Sequence, residues 1–123
     1  MGKKILLVDD EPLLRMDTKD ILESHGYEII GEASDGFEAV EMCKKHKPDL
    51  VIMDIEMPIL DGIKAGKIIC KENIAGGVLL LTSFEDKEYV EKAKSIGAYG
   101  YLAASEKSLI PTIEMCLNKV EWI

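Results

Sequence analysis

The sequence predicts a doubly wound α/β fold, in which helices cover both faces of a parallel β-sheet. Three continuously apolar runs carry this prediction, because a strand that is buried on both faces shows no polar alternation. Longer amphipathic segments separate the runs, and parallel strands need crossover helices of this kind. The runs are residues 5–8, 50–53 and 78–81.

Two weaker runs complete a set of five strands. Residues 27–30 and 99–102 contain fewer aliphatic side chains, so we expect them to form edge strands. Each of the five runs is followed by a segment of helical character. Five βα units in succession predict one sheet with helices on both of its faces.

The first two helices have clear start and stop signals. Pro12 suits the first turn of a helix, and Gly26 can end that helix. The second helix is expected to open at residues 34–36, with Phe37, Val40 and Cys43 on its apolar face. Lysines lie at the C-terminal end of this second helix, where their positive charge stabilises the negative end of the helix dipole. A proline at 48 prevents the helix from extending further.

Three further helices follow the later strands. The third is expected to open at residues 61–62 and the fourth at 85–86, with Gly97 ending the fourth. The fifth is predicted from about Ser108. Pro111 then falls in its first turn, where backbone N–H groups have no partner within the helix.

Composition excludes several classes of protein. The chain has 123 residues, enough for one domain spanning 1–123, and a net charge of −8. The acidic balance argues against direct nucleic-acid binding by this domain, the apolar runs are too short to cross a membrane, and 47% hydrophobic residues exclude disorder. Three widely spaced cysteines and an N-terminus unlike a signal peptide indicate a cytoplasmic protein.

Polar side chains stand where three of the apolar runs end. Asp9 and Asp10 follow the first, Asp54 the central run, and Thr82 the next. Because the carboxyl ends of parallel strands share one edge, we expect these groups to meet there. Three carboxylates repel one another, and Mg²⁺ with its preference for oxygen ligands would relieve that repulsion. The alternative is that the acids only cap helices.

A carboxylate beside Mg²⁺ can act as a nucleophile towards an activated phosphoryl group. Asp54 follows the more central strand and precedes a loop that can fold over it. We therefore predict that Asp54 is the phosphoryl acceptor, with Asp9 and Asp10 as metal ligands.

Four spaced motifs, together spanning nearly the whole chain, resemble the receiver domain of bacterial two-component response regulators. They are Asp9-Asp10, residues 53–58 with 61–62, residues 81–83, and residues 97–102. The resemblance implies a flavodoxin-like (βα)5 fold with strand order 2-1-3-4-5. It also implies a phosphorelay switch rather than an enzyme, with at most self-catalysed phosphorylation and dephosphorylation.

The resemblance also assigns the acidic residues. Asp54 would be phosphorylated by a sensor histidine kinase. Asp10 would bind Mg²⁺ directly, Asp9 would act through a water molecule, and the backbone carbonyl of Glu56 would complete the ligand shell.

Two further residues would transmit the signal. Thr82 would hydrogen-bond the phosphoryl oxygens, and Tyr101 would turn inward when Thr82 moves. The face formed by the fourth helix, fifth strand and fifth helix would carry the change to a partner, with homodimerisation as one route.

Residues 32–39 and 108–113 resemble regulators with an RNA-binding antiterminator output domain. The chain ends at Ile123, where such a segment would begin. We therefore expect a receiver whose output domain is absent or truncated.

The sequence departs from the receiver pattern after the predicted last strand. Ala104 stands where the family has a lysine and Ser105 where it has a proline, and the segment 103–106 is short. An alanine has no ammonium group to pair with the carboxylates. Either Lys107 reaches the site from a rearranged loop, or the site lacks its cation. A degenerate receiver that acts as a phosphorylation-independent interaction or dimerisation module is therefore a second hypothesis.

A third hypothesis is an Mg²⁺-dependent phosphohydrolase with an aspartyl-phosphate intermediate. Such an enzyme needs a second acid two residues after its nucleophile, and Glu56 occupies that position. The chain is too short to supply a domain that covers a substrate, which disfavours this hypothesis.

We expect the substitution Ala104→Lys to strengthen the coupling between phosphorylation at Asp54 and the position of Tyr101. The added ammonium would pair with the phosphoryl group. Amide hydrogen exchange of both proteins, with and without phosphorylation, would measure the coupling. An identical phosphorylation-dependent change in the two proteins would count against a role for the missing lysine.

Overall fold

Five strands and five helices alternate along the chain. The structure, a computed structural model, describes residues 2–82, 87–98, 100–103 and 106–118. The strands are β1 (Lys4–Val8), β2 (Glu28–Ala33), β3 (Leu50–Asp54), β4 (Val78–Thr82) and β5 (Gly100–Ala103). The helices are α1 (Pro12–Ser24), α2 (Gly36–His46), α3 (Gly62–Glu72), α4 (Lys87–Ser95) and α5 (Glu106–Leu117).

The strands form one parallel sheet in the order β2-β1-β3-β4-β5. The predicted α/β fold with a parallel, flavodoxin-like sheet is confirmed. The chain first adds β2 on one side of β1 and then β3 on the other, so the strand order reverses at β1. Val8 of β1 lies beside Met53 of β3, and the two strands therefore end next to each other.

Two apolar layers, one on each face of the sheet, hold the helices in place. Ile5 and Leu7 face a layer that contains Leu22 of α1 and Ile113 of α5. Alternate strand residues such as Leu6 face the layer made with α2, α3 and α4. The period of two along each strand divides the apolar runs between the layers, which is why they show no polar position.

α2 and α3 begin where the sequence predicts, and an aspartate caps the N-terminus of each. The Asp35 carboxylate accepts a hydrogen bond from the Glu38 backbone N–H at 2.8 Å. The Asp61 carboxylate accepts one from the Lys64 backbone N–H at 2.9 Å. Each satisfies a donor that has no partner within the helix.

Three expectations about element ends and faces were wrong. β2 continues three residues past the predicted end at 30, because its half-buried edge position tolerates Glu32. α5 begins at Glu106, so Pro111 lies inside the helix rather than in its first turn. Phe37 is 60% exposed, because it lies about 100° around α2 from Gly36, where the buried stripe begins.

Gly62 brings the start of α3 against the end of β3. A Cβ at this position would lie 2.2 Å from the backbone oxygen of Asp54 and 2.9 Å from the Cα of Ile55. The backbone N–H of Gly62 donates a hydrogen bond to the Ile55 carbonyl at 2.8 Å. Only glycine permits this approach without a backbone shift.

The substitution Gly62→Ala should lower the free energy of unfolding by about 2 kcal/mol, because the backbone must move to admit the methyl group. Urea denaturation would measure the change. Lys67→Ala on the exposed side of α3 is the matched control, with an expected change within about 0.5 kcal/mol. Equal stability of the two variants would show that the contact is not restrictive.

Candidate functional site

The carboxyl ends of β1 and β3 bring three carboxylates together. Asp54 is the last residue of β3, and Asp9 follows the last residue of β1 directly. One carboxylate oxygen from each of Asp9, Asp10 and Asp54 lies within 4.8 Å of the others. Asp10 is exposed, whereas Asp9 and Asp54 are half-buried. The three acids predicted from the strand ends therefore form one cluster.

Backbone hydrogen bonds hold Asp9 at the end of β1. Its N–H donates to the Ala33 carbonyl of β2 at 3.0 Å, which continues the ladder between the two strands. One oxygen of its carboxylate accepts from the Glu11 backbone N–H at 2.9 Å. This short turn fixes the side chain beside the start of α1.

The loop between β3 and α3 holds Asp54 from the other side. The backbone N–H groups of Ile55 and Glu56 lie near its carboxylate and favour its charged form. The N–H of Ile55 donates its hydrogen bond to the Leu81 carbonyl of β4 at 3.0 Å, which ties the start of the loop to the sheet. The side chain of Glu56 is exposed and its carboxylate is not one of the three in the cluster, so the role of its backbone carbonyl as a metal ligand stays a prediction.

Burial and mutual repulsion disfavour the charged form of these acids. Partial burial, followed by the negative charge of Asp9, raises the pKa of Asp54 to about 6, against the smaller effect of the nearby backbone N–H groups of Ile55 and Glu56. Partial burial is also the main cause that raises the pKa of Asp9. A divalent cation with oxygen ligands would compensate this excess of negative charge, so the residues present fit Mg²⁺.

The remaining predicted site residues lie on the adjacent strands or outside the described residues. Leu81 of β4 is the neighbour of Asp54, and Thr82 follows it as the last residue of that strand. Tyr101 is in β5, beside Leu80. Ala104 and Ser105 lie outside the described residues. The roles of Thr82, Tyr101 and Ala104 remain predictions.

An ion pair next to the cluster was not predicted from the sequence. Arg15 of α1 donates from Nε to the Glu32 carboxylate of β2 at 3.0 Å, and from Nη1 to the backbone carbonyl of Asp9. Lys19 approaches the other oxygen of Glu32 at 3.4 Å. The signal was missed because the predicted strand ended at residue 30. A strand continued to Glu32 would have carried this acid to the edge that holds Asp9.

A groove of about 720 Å³ is lined by the loop between β3 and α3 and by residues of α3 and α4. Glu56, Asp61, Lys64 and Lys92 are among the residues that line it, and none of the three clustered aspartates does. In the described residues this groove is therefore a neighbour of the acidic cluster and not an enclosure around it. The exposure of Asp10 leaves the cluster open to solvent.

The response regulator receiver domain is the family whose sequence model matches this chain, over residues 5–109. The chain belongs to this family. The identification made from the four motifs is thereby confirmed.

Relatives of this receiver include both longer regulators and stand-alone receivers. It is 46% identical over 123 residues to the transcriptional regulatory protein PdtaR of Mycobacterium tuberculosis, covering 98% of the chain and 60% of PdtaR. It is 40% identical over 121 residues to the chemotaxis protein CheY of Thermotoga maritima, covering 98% of both. The resemblance to antiterminator regulators fits the similarity to PdtaR.

A solved structure of the CheX–CheY–BeF3–Mg²⁺ complex from Borrelia burgdorferi superposes with a TM-score of 0.87 at 27% identity. The match covers 94% of this receiver and 89% of that chain. Receiver domains bind Mg²⁺ at an acidic pocket, and sensor histidine kinases phosphorylate response regulators. Membership in the family therefore implies a phosphorelay switch, and such domains are typically phosphoacceptors rather than enzymes.

No helix among the described residues is long and apolar enough to span a membrane.

The raised pKa of Asp54 makes stability depend on pH. Between the ordinary aspartate value of 3.8 and about 6, the folded state binds more protons than the unfolded state, so the free energy of unfolding falls as pH rises through this range. Without Mg²⁺, Asp54→Asn should stabilise the domain by about 1 kcal/mol at pH 7.5, since it removes the disfavoured charge. The gain should shrink towards pH 4.

Urea denaturation of both proteins at pH 4, 5, 6 and 7.5 would check this dependence. Asp61→Ala provides the opposite control, because it removes the cap of α3 and should lower stability at neutral pH. A pH-independent difference between the native protein and Asp54→Asn would contradict the assignment of the raised pKa.

Proposed function

We propose that this receiver is a phosphorylation switch in which Asp54 accepts a phosphoryl group from a sensor histidine kinase. The observation that carries the proposal is the convergence of three carboxylates at the reversal of strand order. Asp54 is the acceptor in this proposal because it ends the central strand and its carboxylate lies in the cluster with Asp9 and Asp10. A rigid strand on one side and a short loop on the other limit its motion.

In phosphoryl transfer the protein mainly positions the reacting groups and stabilises their negative charge. A carboxylate oxygen of Asp54 forms a bond to phosphorus as the phosphorus–nitrogen bond of a phosphohistidine breaks, and the electron pair stays with the imidazole. The pKa of about 6 leaves the Asp54 carboxylate mostly ionised at neutral pH. The nearby N–H groups of Ile55 and Glu56 favour this charged form.

Three side chains and one backbone group would hold the metal in this proposal: Asp9, Asp10, Asp54 and the carbonyl of Glu56. Mg²⁺, when bound, would offset the negative charge of the carboxylates and of the incoming phosphoryl group. Asp9 and Asp10 leave β1 as consecutive residues and so present two acids to one ion.

The proposed readout runs along β4 and β5. Thr82, one residue beyond the neighbour of Asp54, would hydrogen-bond the phosphoryl oxygens, and Tyr101 would respond to its movement. A phosphoryl group adds about 1.5 to 2 negative charges and three strong acceptors, which suffices to reorder a neighbouring segment. The face of α4, β5 and α5 would then signal to an output domain or to a second receiver, and control of transcription by antitermination is the proposed output.

One observation supports a second candidate function. Ala104 stands where receiver domains usually have a lysine, so this position supplies no ammonium group. A receiver without it could retain the fold and bind partners without phosphorylation. This degenerate receiver is the alternative that an experiment must separate from the switch.

Intact-mass measurement after incubation with Mg²⁺ and acetyl phosphate provides that experiment. We expect one phosphoryl group on the native chain, since Asp54 attacks phosphorus and acetate leaves. Asp54→Asn should acquire none, because an amide is a poor nucleophile. Asp61→Asn, which alters a half-buried acid outside the cluster, is the matched control and should be phosphorylated.

A folded native chain without a phosphoryl group would favour the degenerate receiver. Labelling of native chain and Asp54→Asn alike would instead assign the acceptor to another residue.

A further inference from the structure

The β1–α1 connection carries both metal-binding candidates on one short stretch of backbone. The path of this backbone after β1 determines whether the carboxylates of Asp9 and Asp10 lie close to that of Asp54, as they do in the structure. Its N–H side is fixed by the hydrogen bond from Asp9 to Ala33. Its carbonyl side is fixed by a side chain, because Arg15 donates from Nη1 to the Asp9 carbonyl.

Arg15 is itself held in place by β2. Its Nε donates to Glu32 at 3.0 Å, and the Arg15 side chain is only 19% exposed. A planar guanidinium can make both hydrogen bonds at once in a fixed geometry, which a flexible lysine ammonium cannot reproduce. Glu32 is further fixed by Lys19 and by its place in the strand ladder beside Leu7.

We infer that Arg15 is a positioning residue for the metal site, and that Arg15 and Glu32 together hold the backbone of Asp9 so that Asp9 and Asp10 converge on Asp54. Groups behind the ligands of a metal site commonly set its affinity in this way. The inference rests on the proposed function, because it assumes that the acidic cluster binds Mg²⁺.

A simple electrostatic role for Arg15 predicts the opposite result. A positive charge beside an anionic cluster repels a cation, so loss of that charge alone would tighten Mg²⁺ binding. Positioning by the guanidinium predicts weaker binding after its loss, even though the site becomes more negative. The sign of the change therefore separates the two roles.

Calorimetric titration with Mg²⁺ alone, without a phosphoryl donor, would test the inference. We expect Arg15→Gln and Arg15→Lys each to weaken Mg²⁺ binding about tenfold. Glu32→Gln should weaken it in the same direction, and the double variant Arg15→Gln with Glu32→Gln should bind no more weakly than Arg15→Gln alone. Lys44→Gln is the matched control and should stay within about twofold of the native chain, since it removes one positive charge from an exposed pair with Glu41 on α2.

Thermal unfolding in the presence of a chelator would identify any variant that does not fold. Arg15→Lys and Glu32→Gln retain most of the packing and keep the test open if Arg15→Gln fails. Unchanged affinity in the folded Arg15 variants, or tighter binding by Arg15→Gln with native affinity in Arg15→Lys, would overturn the inference. Absence of Mg²⁺ binding by the native chain would overturn it as well.

Phosphorylation by acetyl phosphate separates this inference from the proposed function. If Arg15 only positions the ligands, the folded variants should recover the native rate when Mg²⁺ is saturating and lose it at low Mg²⁺. A native chain that binds Mg²⁺ but takes up no phosphoryl group would refute the switch, while the order of Mg²⁺ affinities would still decide the role of Arg15.

Discussion

The partly buried negative charge at the shared end of β1 and β3 is the constraint on which the site depends. Three carboxylates meet there, and two of them are half-buried. Burial and repulsion raise the pKa of Asp54 to about 6, so the ionised cluster is less stable than separate acids in water. The fold holds the three carboxylates together in spite of their repulsion, and a bound divalent cation would offset their negative charge.

The architecture around the charge is correspondingly restrictive. The central strands β1, β3 and β4 are buried between two apolar layers, so the ends of β1 and β3 cannot shift independently. Gly62 brings α3 directly against the Asp54 carbonyl, and Asp9 is tied to the edge strand through Ala33. The acidic cluster therefore lies between the buried strands on one side and solvent on the other, where Asp10 is exposed. In the proposed switch, this directs the response outward, towards the loops and α4.

The central part of this arrangement could be predicted from the sequence because its signals are local. A continuous apolar run ends and an acid follows, so the amino-acid pattern alone assigns Asp9 and Asp54 to strand ends. The Arg15–Glu32 pair could not be predicted in the same way. It joins a helix to an edge strand 17 residues later and depends on where that strand stops. Half-buried β2 has a weak apolar signal, so its true end at Ala33 is not evident from the residue pattern.

Phe37 and Pro111 illustrate a related limit. Each fits a helical pattern locally, but the side of α2 that reaches the core and the first residue of α5 are decided by packing against the sheet. Helical spacing shows that a stripe exists, and it does not show which residue at the margin of the stripe remains in solvent. In α2 that residue is Phe37.

The ion pair on β2 has a second consequence, for solubility. β2 is the outermost strand on its side of the sheet and can offer its free edge to another chain. Glu28 is exposed on this strand, and Glu32 carries two cations with it, so an added strand would have to bury or displace charge. The ion pairs of Glu32 thus also disfavour pairing of β2 with a strand of another chain.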